Sequence, residues 1–172
     1  MVLELQHFLD PDTCRRVRAA MDRGTADPAE ILGDDVTLDA GVRRASDISV
    51  APEVVDAIEA LLDARRDEVA QFFTMPLVDR EGAAFLRYGP GGRYRAHRDR
   101  GDLPSWPGAA RRRVAVVIFL NEGFAGGVLK LLDLAVDIVP RAGTLVAFDA
   151  STLHEVTEVV SGTRDAIVDW FY

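Results

Sequence analysis

Cysteine is nearly absent, with Cys14 alone in 172 residues. No disulfide can close within the chain and no thiolate cluster for zinc or iron–sulfur can be assembled, so any metal must be held by nitrogen and oxygen. Long apolar runs are missing as well. No stretch reaches about 18 uninterrupted apolar residues, and the opening MVLELQHFLD has no basic segment leading into an apolar one; the expectation is a soluble, cytoplasmic protein without a membrane span. Net positive charge is also lacking. At −8 the chain argues against a general binder of nucleic acid or of anionic membranes, which neutralise phosphates with a basic surface. There is no internal repeat, low-complexity tract or linker, and 48% hydrophobic content supports one domain over residues 1–172, able to bury roughly two thirds of its unfolded surface.

What is present divides the chain in two. Residues 1–80 read as a mainly helical cover. Asp10 as N-cap and Pro11 at the first helical position start a helix in which Cys14, Val17 and Met21 recur at helical spacing until Gly24. A variable stretch through Asp27, Pro28 and Asp34 follows, with a candidate strand at DISV around Ile48. Pro52 opens a second helix whose apolar stripe runs through Ile58, Leu61 and Leu62, Val69, and Phe72 and Phe73, with Pro76 beyond it. Residues 81–172 change period. Strands are expected at AAFLRY, RYRAH, RRVAVVIFL, GVLKLL, VDIV, TLVAF, HEVTEVV and RDAIVDWFY, separated by glycine and proline turns. RRVAVVIFL is apolar on both faces and belongs at the centre. Helices first and antiparallel strands after predict an α+β fold built on a jelly roll, whose mouth commonly holds a metal or ligand.

Three histidines exist, and their positions narrow the chemistry. His97 and Asp99, two apart, share a face if the strand continues through them. His7 precedes the first helix, whereas His154 heads a strand in the same β-rich half and is the better third ligand. Two imidazoles and a carboxylate on one face of an octahedron leave three positions open, as in Fe(II) oxygenases. In RDAIVDWFY, Arg164, Ala166, Val168 and Trp170 share one face and Asp165, Ile167 and Asp169 the other. The acids are expected to take the water, turning Arg164 and Trp170 inward. An inward arginine needs an anion, either an internal carboxylate or a ligand.

The ordered set LRYGPGGRYRAHRD, VAVVIFLNEGFAGGVLKL and VPRAGTLVAFDASTLHEVTEVVSGTRDAIVDWFY, over residues 83–172, resembles the prolyl 4-hydroxylase type of Fe(II)/2-oxoglutarate oxygenase, nearest to the oxygen-sensing protein prolyl hydroxylases. The resemblance implies a double-stranded β-helix, iron held by His97, Asp99 and His154 as the catalytic centre, and the distal carboxylate of 2-oxoglutarate paired with Arg164. Trp170 would line the pocket, with Tyr88 and Tyr94 near co-substrate or substrate. It further implies O2-dependent hydroxylation of an unactivated C–H bond, in a prolyl or other amino-acid residue, giving succinate and CO2. One departure stands out. Phe119 occupies the position of a tyrosine that in the oxygen-sensing relatives also binds the distal carboxylate, so Tyr88 or Thr152 would have to replace it. Strict alternation also sets Tyr94 opposite His97, and its role requires a bulge or loop.

Apolar walls are expected from Val116, Phe119, Leu145, Val168 and Trp170. Peptide, carrier-bound and small-molecule substrates all fit. Arg87, Arg93, Arg95, Arg98, Arg100 and Arg111–113, opposed only by Asp99 and Asp102, predict a basic rim that favours an anionic substrate, with DLPSWPGAA as an ordered loop over the mouth. The alternatives are a non-catalytic metal-binding jelly roll or sensor, and a zinc hydrolase with Glu155 as base.

Overall fold

The computed structural model describes residues 1–31, 37–102 and 104–172; the expectation for the stretch around Asp34, and Leu103 within DLPSWPGAA, lie outside them. The N-terminal part contains β1 (Val2–Leu5), α1 (Pro11–Arg23), β2 (Thr25–Pro28), β3 (Arg43–Arg44), β4 (Ser46–Ser49), α2 (Pro52–Asp63) and α3 (Arg66–Phe73). The rest begins with β5 (Ala84–Tyr88), β6 (Arg93–His97), β7 (Val114–Phe119), β8 (Ala125–Gly126) and β9 (Leu129–Leu131). It ends with β10 (Val136–Ile138), β11 (Leu145–Asp149), β12 (His154–Val156), β13 (Val159–Ser161) and β14 (Arg164–Phe171).

Helix α1 forms as its sequence dictates. The Asp10 carboxylate accepts from the Thr13 N–H at 2.8 Å, Pro11 opens the first turn, and Cys14, Val17, Ala20 and Met21 form its buried face. Gly24 ends it for a reason other than left-handed geometry. Its φ is an ordinary −76°, but a Cβ there would stand 2.3 Å from the Ser49 carbonyl oxygen of β4. The expected second helix is two, α2 and α3, broken at Ala64–Arg65. The break re-aims the stripe: Ile58, Leu62, Val69 and Phe73 are buried while Leu61 and Phe72 face solvent.

Among the described residues a large sheet runs β1-β11-β7-β14-β5-β4-β2 and a smaller one β10-β9-β12-β6-β3, with β13-β8 as a short pair. Residues 1–80 are therefore more than a helical cover. β1 pairs with β11, β4 with β5, and β3 with β6, so the N-terminal part extends both sheets. As expected, β7 is buried along its whole length, between β11 and β14.

Two apolar layers follow from alternation. On the helix side, Val114, Val116 and Ile118 of β7 join Ile167 and Phe171 of β14 and the buried faces of α1, α2 and α3. On the other side, Ala115, Val117 and Phe119 meet Leu129, Leu131 and Val156 of the small sheet. This is an α+β double-stranded β-helix, and the inter-sheet layer is where a site can open. Leu145 packs on the helix side and is not one of its walls.

Candidate active site

His97 is the last residue of β6 and His154 the first of β12, and the two are direct cross-strand partners. Their ring centroids are 4.2 Å apart. Asp99 arrives by a different route from the one strand alternation suggests. β6 ends at His97, and the backbone beyond it is fixed instead by the Asp99 and Arg100 N–H groups, which donate to the Ala150 carbonyl at 3.0 and 2.8 Å, and by the Arg112 guanidinium, which donates to the Asp99 carbonyl at 3.1 Å. The outcome is convergence. One ligand atom from each of His97, Asp99 and His154 lies within 4.8 Å of the others, and the two histidine Nε2 atoms each stand 3.5 Å from a different oxygen of Asp99. His7, exposed before α1, takes no part.

The hydrogen bonds around the triad prepare its donors. The Nδ1 of His97 donates to the Arg95 carbonyl at 2.8 Å and that of His154 to the Thr152 carbonyl at 2.9 Å, which leaves the Nε2 lone pairs directed at the shared point. Burial lowers the His154 imidazole's pKa, against the pull of Asp99 and with some help from the His97 ring; the neutral ring is the ligating form. Burial works to raise the Asp99 carboxyl, but His154, His97 and the Trp170 indole outweigh it and hold the group well below the usual carboxylate range. The Trp170 N–H is itself buried and completes no hydrogen bond, so its contribution is that of a nearby dipole. Two bare imidazole nitrogens and an ionised carboxylate fit a divalent iron.

Tyr94 sits at the site through a bulge. Its ring stacks on His97 at 3.5 Å between centroids, although the two are three residues apart. β12 pairs His154 with His97 and Val156 with Tyr94, two residues against three, and this irregularity turns Tyr94 to the His97 side. Arg43, the cross-strand neighbour of Tyr94, also lies over its ring, at 4.6 Å.

Arg164 points into the inter-sheet layer and is 2% exposed. Its Nε donates to the Gly127 carbonyl at 3.1 Å, and its guanidinium lies over the rings of Tyr88 (4.9 Å) and Phe119 (5.3 Å). Among the described residues no carboxylate pairs with it. Burial lowers its pKa, with Tyr88 and Asp165 opposing, yet a guanidinium remains charged. Gly127 has to be glycine, because φ is +63° and a Cβ would meet the Arg164 Cδ at 3.0 Å.

The other face of β14 corrects the reading that its acids seek water. Asp165 is 0% and Asp169 1% exposed. Arg18 of α1 and Arg87 of β5 reach Asp165 at 2.9 and 2.7 Å, and Arg80 reaches Asp169 at 3.3 Å. Arg164 does turn inward, but because β14 is covered on both sides.

Triad and arginine line one cavity, walled by Tyr88, Tyr94 and Trp170 and by apolar side chains including Leu86, Leu129 and Val168. Thr152 does not line it, so of the two candidates to replace the missing tyrosine only Tyr88 is in place. Two contributors escape sequence reasoning. Arg112 reads along the chain as part of the basic rim, yet it is buried, gripped by Glu81 and stacked on Trp170 at 3.8 Å. The Gly127 carbonyl carries no side-chain signal at all.

Residues 83–172 match the sequence model of the 2OG-Fe(II) oxygenase superfamily. A PKHD-type hydroxylase of Phenylobacterium zucineum is 30% identical over 99% of this chain and 77% of its own length. One of Acaryochloris marina is 38% identical over 90 residues, and this chain spans only about two fifths of that relative. Among solved structures, a Pseudomonas putida prolyl-4-hydroxylase superposes with a TM-score of 0.78 at 30% identity, covering 99% of this chain and 91% of that one. A Trichoplax adhaerens prolyl hydroxylase, solved with a hypoxia inducible factor peptide fragment, gives 0.79 at 18% identity over 99% and 83%, a likeness of fold. With the family's sequence pattern spanning more than half of the chain and a relative matched along nearly all of it, this chain belongs to the 2OG-Fe(II) oxygenase superfamily.

Proposed function

We propose that residues 1–172 act as one Fe(II)- and 2-oxoglutarate-dependent hydroxylase, with His97, Asp99 and His154 holding the iron and Arg164 and Tyr88 receiving the co-substrate. The observation that carries this reading is Arg164: a buried cation with no carboxylate partner among the described residues, in the same cavity as a three-donor metal site. A dianion with one end on the metal and the other on Arg164 answers both at once. A non-catalytic metal-binding jelly roll would keep the ligands and leave the buried guanidinium without an anion, at a cost of several kcal/mol.

When bound, iron with 2-oxoglutarate and O2 supplies the oxidation that converts C–H into C–OH, the co-substrate leaving as succinate and CO2. The chain's own residues do the rest. His97, Asp99 and His154 would hold the metal with three donors, a number that would leave positions for co-substrate and oxygen. Arg164 offers both terminal nitrogens as a fork to a carboxylate, and the Tyr88 ring, 4.9 Å from its guanidinium, carries a hydroxyl that could add a hydrogen bond. Leu86, Leu129 and Val168 exclude water, while Trp170 closes one wall.

The substrate is best read as an amino-acid residue within a peptide, prolyl first among candidates, with carrier-bound and free small molecules the other arms of the test. An open groove of about 690 Å³ adjoins the cavity and shares Arg43, Leu86, Val168 and Trp170 with it, the candidate path for an extended chain. Part of the expected basic rim is neutralised within the chain. Arg87, Arg98 and Arg112 are paired with Asp165, Asp133 and Glu81, Arg93 with Glu158, and Arg111 stacks on Tyr172, while Arg95, Arg100 and Arg113 are exposed; the groove itself carries Asp27, Glu30 and Asp47 beside Arg43 and Arg112.

Incubation with Fe(II), 2-oxoglutarate and a panel of proline-containing peptides, carrier-bound and free amino acids, followed by mass detection of one added oxygen, identifies the substrate. Arg164→Ala tests the co-substrate anchor. Losing a buried charged partner costs about 3–5 kcal/mol, so half-saturation by 2-oxoglutarate should rise by two orders of magnitude or more, with iron affinity little changed. An unchanged half-saturation would overturn the assignment.

A further inference from the structure

We infer that Arg112 and Glu81 form a positioning pair that sets where Asp99 and Trp170 stand, touching neither the metal nor the co-substrate themselves. The inference rests on the reading of the triad as an iron site. Asp99 lies beyond the end of β6, so no strand ladder holds its carbonyl. The Arg112 Nη1 does so at 3.1 Å, while its Nε meets Glu81 Oε2 at 2.7 Å and its Nη2 meets the second carboxylate oxygen. The guanidinium carbon lies 3.8 Å from the Trp170 ring centre. The Glu81 N–H in turn donates to the Trp170 carbonyl at 2.9 Å. A closed ring of contacts thus runs Glu81, Arg112, Trp170 and back, with Asp99 tied to it through Arg112. Each of the three nitrogens of this guanidinium donates a hydrogen bond, as its planar fork allows and a lysine's single head does not.

Arg112 is 5% exposed, and it lines the outer groove with Glu81, while Trp170 lines both that groove and the metal cavity. Groups that orient metal ligands from behind are worth about 10- to 100-fold in metal affinity when removed. The same order is expected here.

The test uses anaerobic Co(II) as a spectroscopic stand-in, titrated into the parent and into Arg112→Lys, Arg112→Gln and Glu81→Gln, with circular dichroism melting to establish folding. The parent should bind one equivalent with a visible absorption band that His154→Ala abolishes; failure there sinks the iron reading itself. Given that control, Arg112→Gln should bind Co(II) about 10- to 100-fold more weakly with a shifted band, and Arg112→Lys should resemble it, since retained charge without the fork does not restore the contacts. Glu81→Gln should show a smaller loss of the same sign, and it decides the matter if the Arg112 variants do not fold. A folded Arg112→Gln, or in its place Glu81→Gln, with parental affinity and spectrum would overturn the positioning role and leave the iron site intact.

Discussion

Phe119 is the residue whose identity asks most of its surroundings. Its ring is buried and lies under the Arg164 guanidinium, where a phenol would offer a second hydrogen bond to whatever anion the arginine holds. Phe119→Tyr should therefore tighten 2-oxoglutarate. A hydrogen bond to a charged group is worth about 1.5–3 kcal/mol, so half-saturation is expected to fall by about one to two orders of magnitude in succinate-formation assays, with a smaller gain if the hydroxyl crowds the layer. A rise together with an unchanged melting temperature would mean that the ring does not face the co-substrate. At this scale the sequence is informative wherever residue type and spacing coincide with chemistry: His97, Asp99, His154 and Arg164 are all legible. It is silent where the main chain does the work, as at the Gly127 carbonyl, and misleading at Arg112, because composition cannot tell a buried guanidinium from a rim charge.

Strand β14 shows what periodicity can and cannot decide. Alternation assigns its residues to two faces correctly, but the wetness of a face depends on what covers it, and α1 with its arginine lies far away in sequence. Asp169 illustrates the cost. Burial raises its pKa, against the Gly82 and Trp170 N–H groups and Arg80, so the folded protein holds this proton more firmly than the unfolded chain does. The contribution of Asp169 to stability is present below the unfolded value near 3.8 and is lost as pH rises through the raised folded value. Asp169→Asn does not titrate, and its Oδ1 can still accept from Gly82 and Trp170. The stability difference between variant and parent, read from urea midpoints, should accordingly move in the variant's favour as pH climbs from below 3.8 across that window; a flat or reversed trend would contradict it. The elements that periodicity misses, β1, β2, β3 and β8, are two to four residues long, too short to carry a period, and β2 is exposed throughout. They exist because neighbouring strands offer them a ladder.

For the whole molecule, the main revision concerns charge. Seen as a string, residues 87–113 are basic; folded, Arg87 and Arg112 serve the interior and Arg95, Arg100 and Arg113 lie on the surface away from the groove lining. Steering of an anionic substrate would make the specificity constant fall steeply with salt. With Arg87, Arg93, Arg98 and Arg112 ion-paired and Asp27, Glu30 and Asp47 along the groove, the expected response for a neutral peptide substrate is nearly flat between low and physiological ionic strength, and the variant with Arg98, Arg100 and Arg111 all changed to glutamine should match the parent. A steep fall in the parent that this variant abolishes would restore the basic rim. No helix among the described residues is long and apolar enough to cross a membrane.

The cross-strand pairing of His97 with His154, joined by an aspartate from the loop that follows, means that an ion in the triad would act as a rivet between the two strands. Heat resistance then becomes a reporter of occupancy. Any ligand bound only by the folded form adds stability, about 2.7 kcal/mol at a hundred times its dissociation constant, so melting temperature should rise in steps with Mn(II) or Co(II), then with 2-oxoglutarate, and again with a substrate that fills the groove. The staircase needs neither turnover nor an identified product, which turns a simple melting experiment into a way of fishing for the physiological substrate.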